Sequence, residues 1–185
     1  LKRMIDGRWL TANGVVSFYP ANTVNDDDLE IYQDETREKV LFTWRGLRQQ
    51  GIKREGVENK CLADFIAPKS SGVVDYIGLF AVTAGIGVDK KEKEFELAND
   101  DYSSIMFKSL ADRMAEAFAE ALHARVRQDL WGYAANEALT NEQMIKEEYV
   151  GIRPAPGYPA CPEHVVKREM FEVLDGADIG MMLTE

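Results

Sequence analysis

The 185 residues include 22 Lys and Arg against 32 Asp and Glu, a net charge of −10 that argues against phosphate backbones and anionic lipid as partners. No apolar run approaches the ~20 residues that span a bilayer, and the polar residues after position 6 leave no signal-peptide core, so a cytoplasmic protein with no nucleic acid or membrane partner is expected. Cys61 and Cys161 lack any paired spacing for zinc or a disulfide framework, His123 and His164 add no metal site, and one domain with one core over residues 1–185 is the expectation.

In chain order, Leu1, Met4, Ile5 and Trp9 fall at helical spacing until Asn13-Gly14 breaks the pattern. Residues 14–22 and 29–32, either side of an acidic turn at 25–28, predict two strands, and so short a link favours an antiparallel pair. A third strand is expected at 40–44, then an exposed loop through Gly51 and Gly56, then another strand at 61–66. Residues 73–83 are the richest in β-branched and aromatic side chains and predict the central strand. The Gly85-Ile86-Gly87 after it lacks the third glycine of a phosphate-binding loop and reads as a turn.

Between Asp100 and about Tyr133 apolar residues recur at three- and four-residue steps, predicting an amphipathic helix roughly 45–50 Å long. Asp100 and Asp101 at its start and Arg125 and Arg127 near its end suit the helix dipole. Asp112, Glu116 and Glu120 form an acidic row at i, i+4 and i+8. Like charges there cost about 0.2–0.5 kcal/mol per pair, so the row is either a solvated face or one that meets a cation. His123 reads as a helix-surface residue. Thr140 with Gln143 is the capping box of a further short helix.

Residues 153–164 read Arg-Pro-Ala-Pro-Gly-Tyr-Pro-Ala-Cys-Pro-Glu-His, holding four of the six prolines. Neither a helix nor an inner strand accommodates them, because each fixes its own φ, lacks an amide hydrogen and pushes its predecessor towards an extended form. A stiff loop results, with little entropy left to lose on binding, able to present backbone carbonyls and the amide of Gly157 to a ligand. Arg153 supplies a guanidinium suited to a carboxylate, and Tyr158 a flat face with a hydroxyl at its tip. The plain alternative is a proline-rich surface turn. His164 precedes a helical stretch through Phe171, and Cys161 reads as packing.

The run 151–164 resembles the signature of the S-adenosylmethionine-binding reactivation domain of cobalamin-dependent methionine synthases. The blocks at 18–22, 47–50, 61–68, 100–106 and 110–120 are similar to that family in the same order, so the resemblance spans nearly the whole chain. It implies an α+β fold, with a twisted, mainly antiparallel sheet flanked by helices. It also implies a part in a methyltransferase: support of the reductive methylation of inactive cob(II)alamin to methylcobalamin in an enzyme that makes methionine from homocysteine and methyltetrahydrofolate.

Carried over by position, the resemblance gives S-adenosylmethionine binding to Arg153, Ala155, Gly157, Tyr158 and Glu116, and contact with the cobalamin module to Tyr158, His164 and Asp112. It implies no metal ligand within this chain, cobalamin being held by another module. The partners it implies are that module and flavodoxin or a dedicated reductase. Further ligand-binding residues of the family fall before and after this sequence, so a fragment lacking both ends is expected. A stand-alone S-adenosylmethionine-binding reactivator of a separate corrinoid protein is the competing reading.

Overall fold

A computed structural model of the chain describes residues 1–184. Its frame is a four-stranded sheet in the order β3-β2-β1-β4, built from β1 (Thr11–Val24), β2 (Asp28–Tyr32), β3 (Val40–Trp44) and β4 (Asp75–Ile86). Three residues, 25–27, turn β1 into β2, and the register pairs Ala21 with Ile31 and Val24 with Asp28. β2 pairs antiparallel with β3, Leu29 facing Trp44. Helices α1 (Lys2–Asp6), α2 (Val88–Leu97), α3 (Asp101–Arg125), α4 (Asn141–Ile145) and α5 (Lys167–Val173) complete an α+β fold, as the resemblance implies. Among the described residues no helix is long and apolar enough to cross a membrane.

Two expectations are corrected. The most strand-like run forms β4, but it takes the edge of the sheet. Residues 61–66 form a 3-10 turn, Leu62–Phe65, because the Asp64 carboxylate accepts from the Cys61 amide at 2.8 Å and closes the backbone into a cap. Gly87, at a φ of 98°, starts helix α2 directly after β4. It passes so close to the Trp9 carbonyl that a Cβ would lie 2.9 Å from the oxygen, so glycine is required there.

The chain divides into two compact units, the first made of Leu1–Val15, Ala81–Ile152 and Gly176–Met182, the second of Val16–Phe80 and Arg153–Asp175 with Leu183 and Thr184. In the first, Trp9, Phe95 and Phe107 pack edge to face with centroids 5.8–6.1 Å apart, and Lys91 lies 4.4 Å above the Trp9 ring. Asp100 caps α3, accepting from the Ser103 amide at 3.0 Å. In the second, Leu29, Ile31, Tyr32 and Cys61 are almost wholly buried. Asn22 donates to the Ala67 and Val73 carbonyls, and the Arg37 guanidinium bonds Asn22, the Ala21 carbonyl and the Asp75 carbonyl between the rings of Tyr32 and Tyr76. These bonds replace the water partners that the backbone carbonyls lose on folding.

Candidate ligand-binding site

The proline-rich loop belongs to the second unit and is closed by its own backbone. The Tyr158 amide donates to the Ala155 carbonyl at 3.0 Å, the Cys161 amide to the Tyr158 carbonyl at 2.8 Å, and the Gly157 amide to the Cys161 carbonyl at 2.8 Å. The amide of Gly157 expected to face a ligand is thus spent inside the loop. What Gly157 contributes is its φ of 100° and its missing side chain, since the His164 ring covers it. The carbonyl oxygens of Ala155 and Tyr158 each keep a second lone pair for an incoming donor.

Within this frame the Tyr158 side chain stands out, 64% exposed. Arg153, at the head of the loop, is half-buried, its Nε wholly so. His164 is exposed, and the Glu163 carboxylate accepts from the backbone amides of His164 and Val165, which holds its pKa below the usual carboxylate range. Cys161 is buried, and burial pushes its thiol up to about 11. A thiol so far from ionisation packs and does not react.

The acidic row lies in the first unit, on α3. Asp112 is exposed. Glu116 is 70% exposed at its side chain and pairs with Arg113 at 2.9 Å, one turn away. Beside it runs a groove of about 470 Å³ lined by Arg113, Glu116, Ala117, Glu120, Ala121 and Ala124 of α3 and by Met144 of α4. Small residues at 117, 121 and 124 leave room along the helix, and the lining carries two carboxylates, Glu116 and Glu120, against the one guanidinium of Arg113. The groove is shallow and largely open. Thr140 and Gln143 form the expected capping box, so α4 starts where the sequence places it.

The surface assignment of His123 and the dipole role of Arg127 are both corrected. α3 ends in a wide π turn, Val126–Leu130, which rotates Arg127 inward to 1% exposure. Glu137 receives its guanidinium at 2.6–3.0 Å, His123 Nδ1 lies 2.7 Å from it, and the Tyr149 ring stacks 4.4 Å from Cζ. His123, itself 5% exposed, meets Tyr149 edge-on at 4.9 Å. The arginine forms the centre of a polar cluster whose partners lie up to 22 positions away in sequence. Among the described residues no group of three or more His, Cys, Asp or Glu side chains could hold a metal ion.

A structure described as the MetH reactivation domain bound to AdoHcy is 55% identical to this chain, superposes with a TM-score of 0.92 and covers all of it. The chain spans 56% of the length of that solved relative. The family described as vitamin B12 dependent methionine synthase, activation domain, matches residues 1–185. With fold, loop and full-length match in agreement, the chain belongs to the activation-domain family of vitamin B12-dependent methionine synthases.

Proposed function

We propose that this chain forms most of a single module that binds S-adenosylmethionine and supports the reductive methylation of inactive cob(II)alamin within a cobalamin-dependent methionine synthase. The observation that carries the reading is the 55% identity, over the whole chain, to a relative solved with AdoHcy, the demethylated form of the same ligand. Arg153 binds the ligand carboxylate, the backbone of Ala155 and Gly157 meets the adenosine portion through carbonyl oxygens, and Tyr158 presents its ring. Glu116 contributes negative charge towards the cationic end. Its ion pair with Arg113 is solvent-exposed on both sides, so exchanging that cation for a ligand's costs little.

S-adenosylmethionine, when bound, supplies an activated methyl group on a sulfonium, so the residues of this chain need to position and not to activate. Cobalamin is held by another module, towards which Tyr158, His164 and Asp112 are assigned. Flavodoxin or a dedicated reductase supplies the electron. By its chemistry the guanidinium at the loop head suits the carboxylate of such a ligand, and the carbonyl oxygens along the loop suit N–H donors of its adenosine portion. Equilibrium binding of S-adenosylmethionine by calorimetry, with the chain extended to the length of its solved relative, tests the reading. Saturable binding with one site per chain is expected, and no heat at millimolar ligand overturns it.

A further inference from the structure

None of the residues in the buried cluster around Arg127 is among those assigned to the ligand, and its two hooks bracket α4. Glu137 precedes that helix and Tyr149 follows it, and both end on the same guanidinium. Gln128 adds a bond to the Glu137 carbonyl at 2.9 Å, and the Ala134 amide donates to the Arg127 carbonyl at 2.8 Å. The segment between the hooks carries Met144, the residue by which α4 lines the groove beside Glu116. α4 itself spans only Asn141–Ile145 and buries no residue, so its own packing holds it weakly.

A buried ion pair is a poor source of net stability but a good device for fixing geometry, because each partner is costly to leave alone. The arginine fork admits few arrangements that satisfy a carboxylate, an imidazole acceptor and an aromatic face together. His123 Nδ1, facing an N–H that is never given up, serves as the acceptor.

We propose that Arg127 is a positioning residue for ligand binding: through Glu137 and Tyr149 it fixes the segment that carries Met144 into the groove beside Glu116. This rests on the reading that Glu116 faces S-adenosylmethionine. Arg127 touches no ligand and acts only through the segment it holds.

The test separates positioning from stability. In the full-length chain, Arg127→Met strands the Glu137 carboxylate and is expected to weaken S-adenosylmethionine binding at least tenfold. The double variant Arg127→Met/Glu137→Met removes both charges and is expected to regain the wild-type thermal midpoint, as apolar replacements of buried pairs do. It is nevertheless expected to bind S-adenosylmethionine at least tenfold more weakly than wild type, with faster amide exchange over residues 131–150. Full affinity in the double variant makes the cluster a stability element only and overturns the proposal, as does unchanged affinity in a folded Arg127→Met. Glu116→Gln, measured alongside, separates the two failures. If it weakens binding while the double variant recovers, the positioning role alone falls; if it binds as wild type, the reading of the groove falls and takes the positioning role with it.

Discussion

Gly157 lies against the His164 imidazole so closely that a Cβ at position 157 would sit 2.5 Å from Cε1 and 2.6 Å from Nε2. The contact joins the middle of the proline-rich loop to its C-terminal end, and the positive φ of 100° at Gly157 turns the chain beneath the ring. Sterics and backbone conformation therefore demand the same residue.

Gly157→Ala is expected to displace the His164 ring and to destabilise the fold, the positive φ alone costing an L residue roughly 1–2 kcal/mol. His164→Ala in the same chain is expected to recover the steric part and leave the backbone part. Thermal midpoints of the two single variants and the double variant measure the split. Equal midpoints for Gly157→Ala with and without His164 would place the whole cost in the backbone.

Arg153→Ala is expected to weaken S-adenosylmethionine binding by about 1.5–3 kcal/mol, the range for a lost charge-assisted hydrogen bond. Lysine at 153 keeps a point charge but not the fork and is expected to recover only part of the loss. Calorimetry gives both numbers, and an unchanged dissociation constant removes Arg153 from the site.

Glu116→Gln is expected to cost more affinity for S-adenosylmethionine than for S-adenosylhomocysteine, whose sulfur is neutral. The ammonium common to both narrows the difference. Equal losses would give Glu116 a structural role or one towards the ammonium alone.

Much of this fold was legible because local chemistry decides it. β3 follows its own β-branched and aromatic residues, and Thr140 with Gln143 caps α4 without outside help. The proline-rich loop announces itself by residues that can do little else. The misread positions depend on partners distant in sequence. Residues 61–66 look like a strand until Asp64 folds back on Cys61, and β4 has central-strand composition although its place in the sheet is set by β1 alone. Arg127 and His123 sit at helix positions that normally face water. Only the π turn and the return of Glu137 and Tyr149 bury them, and no pattern in residues 100–133 encodes that return.

Acid is expected to loosen the segment held by Arg127. The hydrogen-bonded guanidinium beside Glu137 holds that carboxyl below the usual range, and only 8% of the side chain is exposed. A depressed folded pKa means the contribution is complete above the unfolded value of about 4.3 and is lost as pH falls through the lower folded value. Amide exchange over residues 131–150 should therefore accelerate below about pH 4.3, beyond the intrinsic change, and Glu137→Gln should flatten that dependence.

Tyr158 offers the sharpest test of what the loop does in a whole methionine synthase. Its backbone is locked on both sides, the amide bonded to Ala155 and the carbonyl to Cys161, while the ring is 64% exposed. Tyr158→Phe keeps the ring and every backbone bond, so the thermal midpoint is expected to stay within about 1 °C of wild type, as for a surface change away from packing. The removed hydroxyl can matter only to something that meets the exposed ring. If that is the cobalamin module during reactivation, reductive methylation of cob(II)alamin should slow while methyl transfer from methyltetrahydrofolate to homocysteine stays unchanged. The two are measured separately, the first by loss of the cob(II)alamin visible spectrum in the presence of reductant and S-adenosylmethionine, the second by turnover under conditions that avoid oxidation. Slowing of both to the same extent would place Tyr158 in primary catalysis. No change in either would leave the exposed ring without a role at the corrin.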